Sequence, residues 1–121
     1  MTTKTYAEII RSADEMPADL FAARWMLMPE AESIPGLDPA DLDKSKAVLI
    51  SLHRRITRPL ADIRKEAGLS QQKLADRFAV PVATVRTWEQ RDCCPIYTRL
   101  MIQELLGQWS PAKDMGVALN G

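Results

Sequence analysis

Residues 69–89 read LSQQKLADRFAVPVATVRTWE, and how this stretch folds decides the rest of the chain. It predicts two short amphipathic helices joined by a tight turn. Ser70 is a good N-cap, because its hydroxyl can accept from an unpaired backbone N–H two or three residues on. Leu74, Ala75 and Phe78 then form an apolar stripe one helix wide. The ring of Pro81 fixes its own φ and drives Val80 out of the α region, so the first helix stops near Ala79. A proline is tolerated where a helix begins, and a second helix is expected from about Pro81 through Glu89. Val85 and Trp88 face inward on it, leaving Val82, Ala83, Arg86 and Thr87 outside. Helices this short need a scaffold.

The residues Leu69-Ser70-Gln71, Leu74-Ala75, Val80, Thr84-Val85 and Trp88-Glu89 together resemble the helix-turn-helix of the phage-repressor and Cro family, the lambda-repressor-like proteins. The resemblance covers about Pro59 to Gly107. Three departures mark it: Ala79 stands where the family usually has glycine in the turn, Pro81 where it has a polar cap, and Arg91 where a glycine often ends the second helix. The resemblance implies an all-α, lambda-repressor-like helix-turn-helix bundle, here with an N-terminal helical extension. It also implies an arginine on the preceding helix paired with the glutamate after the tryptophan, which in this sequence are Arg64 and Glu89.

The surrounding chain reads as more helices. Residues 3–14 suggest a first one, with Tyr6, Ile9 and Ile10 on one side and Thr3 or Thr5 as its cap. Residues 18–28 suggest a second, so apolar around Trp25 that other helices or a second copy of the chain must cover it. Residues 29–39, with Pro35-Gly36 in the middle, read as a linker. Asp38 can cap a third helix with Pro39 at its first position, running to Ile56 on Leu42, Leu49 and Ile56. A buried strand over residues 47–52 competes with that assignment. Pro59 to Ala67, closed by Gly68, is a fourth helix, and Ile96 to Leu106, stopped by Gly107, is the last. Trp109 and Met115 are candidates to dock, with the rest of the tail expected to be mobile. The expected organisation is therefore an acidic helical hairpin over 1–36, a DNA-binding domain over 37–107 and a tail over 108–121.

A chain of 121 residues suffices for a single core with one accessory element. Its formal net charge is zero, but charge is unevenly spread along it. Residues 1–43 carry 3 Lys+Arg against 9 Asp+Glu, and residues 44–99 carry 12 against 5. A basic segment coincident with the helix-turn-helix points to nucleic acid; mutual pairing of acidic and basic segments is the plainer account. No apolar run approaches the length of a bilayer span and no signal segment opens the chain, so a cytoplasmic location is expected. Cys93 and Cys94 are adjacent, without metal-ligand spacing, and His53 is a lone histidine. There is no nucleophile elbow, His/Cys cluster or phosphate-cradling glycine loop, so neither enzyme chemistry nor a cofactor or metal is expected.

The function expected from the resemblance is a sequence-specific transcriptional regulator that binds double-stranded DNA as a homodimer. Val82, Ala83, Arg86 and Thr87 would read bases. Ser70, Gln71, Lys73, Arg77, Arg91 and Arg99 would contact phosphates. The helix around Trp25 is the first choice for the dimer contact, and the last helix the second. Two other readings stand beside this one. In the first, the chain is an antitoxin whose acidic N-terminal hairpin binds a protein partner. In the second, the motif is only a packing module, since Val82 and Ala83 lack hydrogen-bonding groups.

Overall fold

The structure, a computed structural model, describes residues 1–118. It is all-helical, and no strand occurs among the described residues, so the strand alternative for 47–52 is not realised. The chain divides into two compact units, each described by itself. One comprises Met1–Thr57 together with the segment from Ser110 onward; the other is Arg58–Trp109.

In the first unit, α1 spans Thr3–Glu15, α2 Ala18–Trp25 and α3 Leu42–Ile56. Thr2 caps α1, its hydroxyl accepting from the Thr5 N–H at 3.1 Å, one residue earlier than the cap expected. α2 ends at Trp25, and a single 3₁₀ turn, Pro29–Ala31, follows it. α3 starts three residues later than Asp38 and Pro39 suggest, because Asp41 is the residue whose carboxylate accepts from the Lys44 N–H at 3.1 Å. Asp38 instead folds back on itself, accepting from the Ala40 N–H at 2.9 Å. Its own backbone exchanges two hydrogen bonds with the Ser45 hydroxyl. The core stripe of α3 is Ser45, Leu49, Leu52 and Ile56, all buried, while Leu42 is 45% exposed and outside it.

α3 therefore belongs with α1 and α2, and the division falls after Thr57 rather than at residue 36. The physical reason lies in the supposed linker. Ala31 and Ile34 are fully buried within it, so the segment is packed structure. Phe21, Ala22 and Trp25 are buried too, and the Trp25 indole N–H donates to the Ser12 hydroxyl at 2.8 Å, which donates onward to the Ile9 carbonyl. Trp25 is thus a core residue of its own unit, while Leu20 on the same helix is 57% exposed. The tail contributes α8, Pro111–Met115. Met115 is fully buried, and the Met1 nitrogen donates to the Gly116 carbonyl at 2.6 Å. Gly116 sits at φ +68°, and a Cβ there would lie 2.7 Å from the Ser33 carbonyl oxygen, so only glycine permits the approach. The part of the tail expected to be mobile includes residues 119–121, which lie outside the described residues.

In the second unit, α4 spans Leu60–Glu66, α5 Gln71–Phe78, α6 Val82–Arg91 and α7 Ile96–Leu105. Leu60, Ile63, Leu74, Ala75, Val85, Cys94 and Ile102 form one buried cluster, with Phe78, Val80, Val82 and Trp88 packed against it. α4 leaves through Gly68 at φ +70°, where the Gly68 and Leu69 N–H groups close back onto the Lys65 and Arg64 carbonyls.

Candidate functional site

The pair α5 and α6 is set by three local devices. Ser70 caps α5, its hydroxyl accepting from the Lys73 N–H at 3.1 Å. Ala79 then adopts the left-handed conformation, φ 55° and ψ 40°, with its N–H and that of Val80 closing onto the last turn of α5. This is the position where a glycine would carry no steric penalty and alanine carries one. Pro81 is extended and serves as the residue before α6, without a side-chain cap. α6 continues to Arg91, and its left-handed exit falls on Asp92, φ 49°, one residue beyond the Arg91 expected.

α6 is held from behind by an ion pair. Arg64 Nε and Nη2 donate to the two carboxylate oxygens of Glu89 at 2.8 and 2.9 Å, and Nη1 donates to the Leu69 carbonyl at 3.0 Å. The Gln71 amide adds a longer bond to Glu89 at 3.3 Å. Both side chains are largely covered, 14% and 9% exposed. The guanidinium's hydrogen bonds hold the Glu89 carboxyl below its usual range, against the raising effect of burial. The same bonds raise Arg64. One bidentate pair thus joins α4 to α6 and, through Leu69 and Gln71, to the start of α5.

The opposite side of α6 is open. Ala83, Arg86 and Thr87 are exposed, and so is Gln90. Val82 differs: it is half-buried against the core cluster, because a residue three before Val85 shares its inward side. Gln90 takes its place, three and four residues beyond Thr87 and Arg86; carrying the helical period one more turn would have found it. The face so formed offers a guanidinium, a primary amide, a hydroxyl and two methyl groups.

Of the flanking residues, Lys73, Arg77 and Arg91 are exposed, and among the described residues none of them makes an ion pair. Ser70 and Gln71 stand beside them at the N-terminus of α5, already engaged as described. Arg99 does not join this group. Its Nε donates to the Cys94 carbonyl at 3.0 Å and its Nη1 to the Arg58 carbonyl at 2.8 Å, so it ties the loop before α7 to the approach to α4. The expectation that it contacts phosphate is therefore corrected to a structural role.

Cys93 is exposed and Cys94 buried, and burial pushes the Cys94 thiol up to about 11, which keeps it protonated. No cluster of His, Cys, Asp and Glu able to hold a metal occurs among the described residues. No helix among the described residues is long and apolar enough to cross a membrane.

No family model, curated protein or solved structure matches this chain. The chemistry must therefore be read from the chain alone. Charge becomes less lopsided once the true units are used. Residues 58–109 hold 8 Lys+Arg against 6 Asp+Glu, because Lys44, Lys46, Arg54 and Arg55 lie on α3 in the other unit. What matters locally is the placement of Lys73, Arg77, Arg86 and Arg91, all exposed on the α5–α6 pair.

Proposed function

We propose that residues 58–109 are a helix-turn-helix module of the phage-repressor type, and that the chain is a sequence-specific DNA-binding transcriptional regulator. One observation carries this reading. α6 is locked from behind by Arg64 and Glu89, while its outward side is uncovered and bears Arg86, Thr87 and Gln90. B-DNA's major groove admits one α-helix, and a helix-turn-helix delivers its second helix there while the first crosses the backbone.

In that pose Arg86 donates in bidentate fashion to guanine, Gln90 pairs with adenine, and Ala83 and the Thr87 methyl meet thymine methyl groups. Lys73, Arg77 and Arg91 neutralise phosphates, joined by the N–H groups that open α5 after Ser70 and by Gln71. The regulator acts as a homodimer, since one motif per chain reads one half-site and two half-sites lie about 34 Å apart. The surface that supports pairing is α7, where Tyr97, Met101 and Leu105 are 72%, 56% and 62% exposed at four-residue spacing, one apolar stripe.

Three cationic phosphate contacts per chain make six per dimer, so log K should fall against log salt with a slope of about −5. Anisotropy titrations of the full chain with labelled duplex DNA across a salt series measure it. A slope near zero, or unchanged binding after Arg86→Ala with Thr87→Ala, would favour the packing-module alternative.

A further inference from the structure

The first unit has a hollow that the DNA reading leaves unused. It lies where α3, the segment holding Ile34 and α8 meet, with Ile34, Pro35, Val48 and Leu52 as its apolar lining and a volume of about 380 Å³. That size falls in the range of about 300–1,000 Å³ of small-molecule sites, which combine apolar walls with a few convergent polar groups. The polar groups here are Ser51 and Arg55 on α3, and Lys113 and Asp114 on α8. The walls are braced from within the unit. Met115 is fully buried, and its carbonyl accepts from the Ser33 hydroxyl at 2.9 Å. Arg55 Nη2 donates to Asp114 Oδ1 at 2.6 Å, joining α3 to α8.

The hydrogen-bonding groups of the lining select its occupant. Asp114 is the one carboxylate among them, and both its oxygens are taken, Oδ1 by Arg55 and Oδ2 by the Ser110 N–H at 2.7 Å. Neither the Lys113 ammonium nor the Ser51 hydroxyl has a partner among the described residues. What the hollow has left to offer is therefore donors: an ammonium, a hydroxyl and the edge of a guanidinium. Two cations against one carboxylate leave the lining one positive charge. A ligand that fits must bring acceptors and a single negative charge. We infer that this hollow binds a small organic monocarboxylate, its carboxylate on Lys113 and Ser51 beside Arg55, its apolar body over Ile34, Val48 and Leu52. An amine would set a second cation against Lys113. A neutral amide forgoes the charge-assisted bond, and a phosphate monoester carries nearly two charges where the lining balances one. The inference does not rest on the DNA-binding reading.

The test titrates the full chain with phenylacetate, phenylacetamide, phenethylamine, phenyl phosphate and acetate, following its backbone amides by NMR. Phenylacetate is expected to bind at least about tenfold more tightly than the other four, the worth of one charge-assisted hydrogen bond or of the buried ring. The shifts should centre on Val48, Ser51, Arg55 and Lys113. Lys113→Gln, which removes the charge from an exposed side chain, should weaken phenylacetate by about tenfold. Val48→Asp, which sets a carboxylate on the apolar lining, should weaken it at least as much. Lys46→Gln, exposed on α3 outside the lining, should leave it unchanged. Should Val48→Asp disturb the fold, the exposed Lys113→Gln still decides. No shift with millimolar phenylacetate, or shifts centred elsewhere, overturns the inference. Equal binding of phenylacetamide or phenyl phosphate overturns it too, as does an affinity that Lys113→Gln leaves unchanged.

Discussion

Replacing Arg64 by alanine probes the joint on which the geometry of α6 depends. The substitution removes two bonds to Glu89 and one to the Leu69 carbonyl, leaving a carboxylate only 9% exposed with the 3.3 Å Gln71 contact. Removing one partner of a buried pair costs about 3–5 kcal/mol. Here some water reaches both groups, so the lower end applies, about 3 kcal/mol, a large share of the roughly 5–15 kcal/mol that a domain has. The effect depends on pH with a definite sign. Because the folded Glu89 carboxyl is held below its unfolded value of about 4.3, the pair's contribution is complete at neutral pH. It fades as pH falls through the folded value. Urea unfolding followed by circular dichroism, for wild type and Arg64→Ala from pH 7 down to pH 2.5, measures the gap between them. The gap should be about 3 kcal/mol at pH 7 and should shrink below about pH 4. Replacing both residues by apolar ones, Arg64→Met with Glu89→Leu, should recover most of the stability while weakening DNA binding, since the angle of α6 is no longer fixed. A gap under about 0.5 kcal/mol at pH 7, or one that does not change with pH, would refute the reasoning.

Ala79→Gly relieves a left-handed alanine, a strain of about 1–2 kcal/mol, but adds freedom to the unfolded chain, so a net gain of about 0.5–1 kcal/mol is expected in the same unfolding assay. Lys73→Ala and Arg77→Ala should each reduce the dimer's salt slope by about 2, one contact from each chain. Arg99→Ala should leave the slope alone and lower stability by about 1–3 kcal/mol, because its partners are the Cys94 and Arg58 carbonyls. Gln90→Ala should cost about 1–3 kcal/mol of specific binding at one base position, without changing affinity for random DNA, in competition titrations.

The helices around residues 69–89 were legible because their signals are local. A serine cap, a proline that breaks the preceding residue's helix, and apolar residues at helical spacing all act within one turn. Ala79 was the harder residue, since its side chain argues for helix while the turn needs φ +55°; only the resemblance to a glycine-bearing turn marked it. The position of α3 was not legible. Proline and glycine in residues 29–39 look like a linker, yet Ala31 and Ile34 are fully buried there, a tertiary fact with no periodicity to announce it. Val82 and Arg99 failed for a related reason. An apolar residue at the start of a helix and an arginine on the next helix look like surface until the core cluster and the backbone carbonyls that engage them are placed. The helix around Trp25 is too apolar to stand uncovered, and of the two covers its sequence allows, other helices or a second copy, Trp25 takes the first, its indole meeting Ser12 inside its own unit.

The central claim is that the outward side of α6 reads base edges, with Arg86 on guanine. Selection of bound duplexes from a randomised pool, run in parallel with wild type and Arg86→Ala, tests it most directly. The account predicts an enriched, two-fold symmetric motif containing a guanine in each half, with that guanine's preference lost in the variant and the rest of the motif retained. No enrichment by the wild type, or an identical motif from both proteins, would contradict it.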